Sequence, residues 1–190
     1  NAVAHTRTHH HHNGRLHLAG LISSGSVHSY LEHVGALLEF AKREGVKDVL
    51  IHAFTDGKDA PHNEGARFLR TLEERMAQEF PAAHIASVMG RFYAMDRDDK
   101  WDRVRLAYEV MTKDGGATAE GASAYIESRY AQGEGETDEF IQPAVVSIPN
   151  QSSIIHSGDA LVFFNFREDS IREITRAFVE DGFDKFPREK

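Results

Sequence analysis

The sequence has no cysteine, which excludes disulfides and thiolate metal sites. It has no excess of basic charge: the net charge of -8 argues against nonspecific nucleic-acid binding, which needs a basic face. It has no apolar run long enough to span a bilayer, and no secretory signal pattern opens it. It has no internal repeat. A cysteine-free chain with these properties suits a reducing cytosol, so no membrane, no nucleic acid and a cytoplasmic location are the expectations. The chain starts at Asn1 rather than at a methionine, and the expectation is a piece of something larger.

What is present is an ordinary globular composition. With 41% hydrophobic and 27% charged residues, 190 residues can bury one sizeable core, so one domain is expected. Residues 1–14 carry the run His9-His10-His11-His12 and read as a His-rich linker or remnant, although adjacent imidazoles can also chelate divalent metals. The domain is expected to occupy residues 15–186, with a linker at 187–190.

Apolar runs at Leu16–Ile22, Val49–Phe54, His84–Met89 and Ala160–Phe164 read as buried strands. Helical spacing links Leu31, Val34, Leu37, Leu38 and Ala41, with Lys42, Arg43 and Gly45 as a C-terminal signal. A second helix is expected from about Asn63, stopped by Pro81, and a third from Val104 to about Gly115-Gly116. A short one spans Ser123–Gln132, followed by a turn at Gly133–Glu136, and a last one carries Ile171, Ile174, Ala177, Phe178 and Val179. Residues 140–158 are weakly patterned, with Val145-Val146 as a possible short strand. Strands alternating with helices predict an α/β fold, three layers with a mainly parallel sheet between helices.

In such sheets ligands sit beyond the carboxyl ends of the strands. Polar segments follow the four clear strands: Ser24–His28, Asp56–Asp59, Arg91–Arg97 and Asn165–Arg167. If those strands are parallel, one edge gathers His28, Asp56, Asp59, Lys58, Arg91, Arg97 and Arg167. That set suits a small, multiply negative molecule and proton transfer at it. The charged block Gly90–Arg103 is the densest of these segments, and a block this charged would be costly to bury for packing alone. Each residue has a plainer role open to it. His28 can start a helix, Asp56 can make a turn, Asp59 can cap, and Arg167 can pair with Glu168 or Asp169. Asp96, Asp98 and Asp102 are expected to orient arginines, and Tyr93 and Trp101 to pack.

The chain resembles the substrate-binding domain of the cofactor-independent phosphoglycerate mutases. The resemblance rests on Leu16-His17-Leu18, Gly25–Ser29, His52–Asp59, Gly90–Asp98 with Trp101-Asp102-Arg103, Thr137–Phe140, Gly158-Asp159 and Phe163–Arg167, in family order from Arg15 to Phe186. It implies a monomeric two-domain enzyme that interconverts 3- and 2-phosphoglycerate in glycolysis. The other domain, similar to alkaline phosphatase, would supply a phosphoryl-accepting serine and two divalent metal ions, manganese or magnesium. No metal is expected in this chain, and the isolated domain is expected to be inactive.

By position, the resemblance assigns His28 and Asp59 to substrate hydroxyls and proton transfer. It assigns Arg91, Arg97 and Arg167 to the substrate carboxylate and phosphate, with Lys58 beside them. Three positions depart from the pattern. Ser24 stands where the family has Asp, Lys58 where it has Arg, and Ser170 where it has a further Arg. The last two should weaken anion binding, by about 1.5–3 kcal/mol for each lost charge-assisted bond. A noncatalytic anion-binding or interaction module, or part of a related metal-dependent phosphohydrolase, is the alternative.

Overall fold

The computed structural model describes residues 14–113, 117–133 and 137–188. The His9–His12 run, Gly115-Gly116 and most of the expected turn at Gly133–Glu136 lie outside them. Strand β1 (Leu16–Ile22) leads to helix α1 (Leu31–Arg43), and β2 (Val49–Thr55) to α2 (Gly65–Glu79). Strand β3 (Ala83–Gly90) runs straight into a four-residue helix, α3 (Arg91–Ala94), and then α4 (Trp101–Thr112). Strand β4 (Thr118–Ala119), α5 (Ala122–Tyr130), a 3-10 turn (Asp138–Phe140), β5 (Ala144–Val146), β6 (Ala160–Phe163) and α6 (Arg172–Val179) follow.

Among the described residues the strands form one sheet of six, ordered β4-β5-β3-β2-β1-β6. β6, β1, β2 and β3 are mutually parallel, so their carboxyl ends share one edge. β5 runs antiparallel to β3, and β4 pairs parallel with β5. The mainly parallel α/β expectation therefore holds.

All seven residues of β1 and of β2 are buried, as strands covered on both faces must be. One face packs Leu18, Ile51 and Val88 against Val34 and Leu38 of α1, Leu69 and Met76 of α2, and Ile126 of α5. The other packs Leu21, Phe54 and Met89 against Val104 and Met111 of α4 and Ile174 of α6. Helix α1 ends where Gly45 takes φ 70°, a left-handed value that glycine adopts without a Cβ penalty.

Several boundaries differ from the sequence reading. Residues 91–94 were expected within a polar loop, but they close one helical turn, because Tyr93 and Ala94 are buried in the second core. Helix α4 ends at Thr112, short of Gly115. Val179 does not join the core; it is 72% exposed. Trp101 and Tyr93 pack, as expected: Trp101 meets the Phe183 ring edge-on at 5.5 Å.

A candidate anion site at the strand edge

Four segments meet at the shared edge, and hydrogen bonds bind them together. The backbone N–H of Phe166 donates to the His28 carbonyl at 2.9 Å, fixing the segment after β6 against the segment after β1. Asp56 makes an Asx turn, accepting from the N–H groups of Lys58 (3.1 Å) and Asp59 (3.0 Å). Its other oxygen accepts from Ser23 Oγ at 2.5 Å. Gly25 lies so close that an added Cβ would come within 2.6 Å of the Asp59 carbonyl, so glycine lets these two segments meet.

The centre is Arg91. Its Nη1 donates to Asp56 Oδ1 at 2.6 Å and to Asp59 Oδ2 at 2.7 Å, and its Nη2 to His28 Nε2 at 3.0 Å. His28 Nε2 lies 3.3 Å from Asp59 Oδ2. Burial, and then the adjacent Arg91 charge, hold the His28 ring below its ordinary 6.5 against the pull of Asp59. The ring is therefore neutral at neutral pH. Burial alone would raise the Asp56 carboxyl, but hydrogen bonds from Ser23, the Asp59 N–H and Arg91 outweigh it and leave it below 3.8.

A second group adjoins the first. Arg97 and Arg167 both donate to Asp169 Oδ2, each at 2.8 Å. Asp169 Oδ1 accepts from the Ser170 N–H at 2.8 Å and from Ser170 Oγ at 3.0 Å. Burial would raise this carboxyl too, yet the Ser170 and Arg167 hydrogen bonds bring it down to about 2. Ser170 Oγ in turn lies 3.1 Å from His28 Nδ1, which links the two groups.

The arginines differ in kind. Arg91 is 10% exposed and already shared between two carboxylates, so it orients the His28–Asp59 pair. Arg97 and Arg167 are about half exposed, and surface pairs of that sort are worth about 0–1 kcal/mol. They can exchange Asp169 for an arriving anion at little cost. Lys58 stands apart, its Nζ 3.9 Å from Glu139.

The structure thus brings His28, Asp59 and Arg91 into direct contact and joins Arg97 to Arg167. Asp56 makes the expected turn and pairs with Arg91 as well. Asp96 pairs with Arg103 at 3.1 Å, whereas the carboxylates on Arg91 and Arg97 come from the segments after β2 and β6. From the sequence alone Asp169 is only a pairing partner for Arg167, and Ser170 only the place of a lost arginine. No local pattern marks either, because their role depends on the β6 segment folding over His28. Among the described residues no cluster of three or more His, Asp or Glu side chains is placed to hold a metal ion. No helix in them is long and apolar enough to cross a membrane.

Fold and site together define an α/β domain with cationic side chains and a His–Asp pair at the carboxyl edge of a parallel sheet. A family model described as the BPG-independent PGAM N-terminus matches residues 1–190. The chain belongs to this family, the N-terminal domain of the 2,3-bisphosphoglycerate-independent phosphoglycerate mutases. It is 48% identical over 177 residues to such a mutase of Syntrophotalea carbinolica, covering 93% of this chain and 34% of the relative. It is 49% identical over 175 residues to that of Clostridium beijerinckii, covering 92% and 34%. A solved structure of Leishmania mexicana phosphoglycerate mutase at low cobalt concentration superposes with TM-score 0.85 at 33% identity, over 91% of this chain and 33% of that one. The chain thus spans about a third of the length of these relatives.

Proposed function

We propose that this domain binds 3- and 2-phosphoglycerate for a 2,3-bisphosphoglycerate-independent phosphoglycerate mutase. One observation carries the reading: two half-exposed guanidinium groups converge on a single carboxylate oxygen, beside a neutral imidazole and a carboxylate. An incoming phosphate or carboxylate takes the place of Asp169 Oδ2 between Arg97 and Arg167, while Oδ1 keeps its bonds from Ser170. The glycerate hydroxyls then face His28 and Asp59, one able to accept and the other able to pass a proton. Arg91 holds that pair in register, and Lys58 adds a point charge at the rim.

Bond making at phosphorus belongs to the remaining two thirds of the relatives' length. That part supplies the serine that carries the phosphoryl group and the divalent ions, manganese or magnesium, that stabilise its charge. The whole enzyme works as a monomer in the cytoplasm. Residues 15–186 serve as the binding unit, with 1–14 a His-rich linker or remnant and 187–190 a linker.

The test is calorimetric titration of the 190-residue chain with 3-phosphoglycerate, together with a mutase assay. Saturable binding that is lost in Arg97→Ala, without turnover by the chain alone, supports the reading. No heat at millimolar ligand, or turnover by the chain alone, overturns it. The first of those results would favour a noncatalytic module, to which Lys58 and Ser170 point because each removes a bidentate arginine contact expected of the family.

A further inference from the structure

The geometry assigns Ser170 as the positioning residue that fixes the tautomer of His28. Two independent contacts require the same ring state. Arg91 can only donate, so His28 Nε2, 3.0 Å from its Nη2, must offer a lone pair. Ser170 Oγ has one hydrogen and gives it to Asp169 Oδ1 at 3.0 Å, so toward His28 Nδ1, at 3.1 Å, it can only accept. The proton of the neutral ring therefore sits on Nδ1, and the lone pair on Nε2 faces Asp59 and Arg91.

Burial makes this arrangement selective. Ser170 is 2% exposed and His28 3%, so water does not substitute for the hydroxyl. The groups facing His28 are Asp59 and Arg91 from the segments after β2 and β3, and Arg167 and Asp169 from the segment after β6. Beside them, Ser170 is the group that Nδ1 can donate to at hydrogen-bond distance, since Asp169 Oδ1 is 3.9 Å away.

The chemical consequence rests on the reading proposed above. When a substrate hydroxyl displaces Arg91 Nη2 from Nε2 and gives that nitrogen its proton, the O–H bond breaks with its electron pair left on the substrate oxygen, an N–H bond forms, and the ring becomes a cation. Nδ1–H then donates a stronger, charge-assisted bond to Ser170 Oγ, whose own hydrogen remains on the Asp169 carboxylate. Asp169 thus opposes the new charge through a hydroxyl, and Ser170 makes Nε2 a better base.

Nitrogen-detected NMR of the His28 ring in the 190-residue chain tests this. A protonated Nδ1 and an unprotonated Nε2 are expected. Ser170→Ala should weaken that preference by about tenfold and lower the ring pKa by roughly half a unit to one unit, because the cation loses more than the neutral ring. Ser170→Thr keeps the hydroxyl and should restore both. A protonated Nε2 in the unaltered chain, or a His28 tautomer and titration unmoved by Ser170→Ala in a folded protein, overturns the assignment. Absence of 3-phosphoglycerate binding would instead overturn the functional reading and leave the tautomer result standing.

Discussion

Replacing Arg91 with methionine keeps the bulk of the side chain and removes the charge at the centre of the site. The loss can be worked from its partners. Asp56 is 2% exposed and would keep a buried carboxylate without its cation. Removing one partner of a buried pair costs about 3–5 kcal/mol. Asp56 would still accept from Ser23 and from the Lys58 and Asp59 N–H groups, so the lower end applies, about 3 kcal/mol. Asp59 is a quarter exposed and adds little.

Urea unfolding at pH 7 measures the loss. The double variant Arg91→Met with Asp56→Asn removes the stranded charge, and it should recover about 1 kcal/mol or more relative to Arg91→Met alone. The sign with pH follows from the lowered Asp56 carboxyl. Its contribution is present above its ordinary 3.8 and is lost as the pH falls through the lower folded value. The deficit of Arg91→Met should therefore shrink on acidification. A deficit below about 1 kcal/mol at pH 7, or one unchanged by Asp56→Asn, would refute the view that Arg91 is a buried organiser.

Other predictions follow from single features. His17 Nδ1 lies 2.8 Å from His52 Nε2 in the core, and burial lowers both rings below 6.5; protonation therefore favours the unfolded chain, and the unfolding midpoint should be flat above pH 6.5 and fall below it. Gly25→Ala should destabilise the strand-edge loops and lower the melting temperature, because the new Cβ would sit 2.6 Å from a backbone carbonyl. Leu69→Ala, fully buried between α2 and the sheet, should cost about 2–5 kcal/mol in urea unfolding. Arg167→Ala should weaken 3-phosphoglycerate binding by about ten- to a hundredfold in calorimetry, with stability changed by less than about 1 kcal/mol.

The parallel strands were legible because each is a continuous apolar run, and burial on both faces leaves no alternation to confuse with a surface strand. Their shared direction places His28, Asp59, Arg91 and Arg167 on one edge. The antiparallel course of β5 was not legible, since three residues, Ala144–Val146, carry no mark of direction. Strand β4 has only two residues, which is too few for a period. Helix α3 was hidden by the charge of its neighbours, although Tyr93 and Ala94 bury it. The division of labour among the arginines was also out of reach. It depends on how far each is buried and on Asp169, which a chain fold alone brings between Arg97 and Arg167.

Phosphoglycerate, in the function proposed above, enters between Arg97 and Arg167 and faces His28 and Asp59. A backbone amide NMR titration of the 190-residue chain with 3-phosphoglycerate tests it most directly. Saturable shifts confined to the amides around Gly25–His28, Lys58-Asp59, Arg91–Arg97 and Arg167–Ser170 are expected. Shifts centred elsewhere, such as the opposite edge of the sheet around Ile154–His156, or no shifts at millimolar ligand, would contradict it.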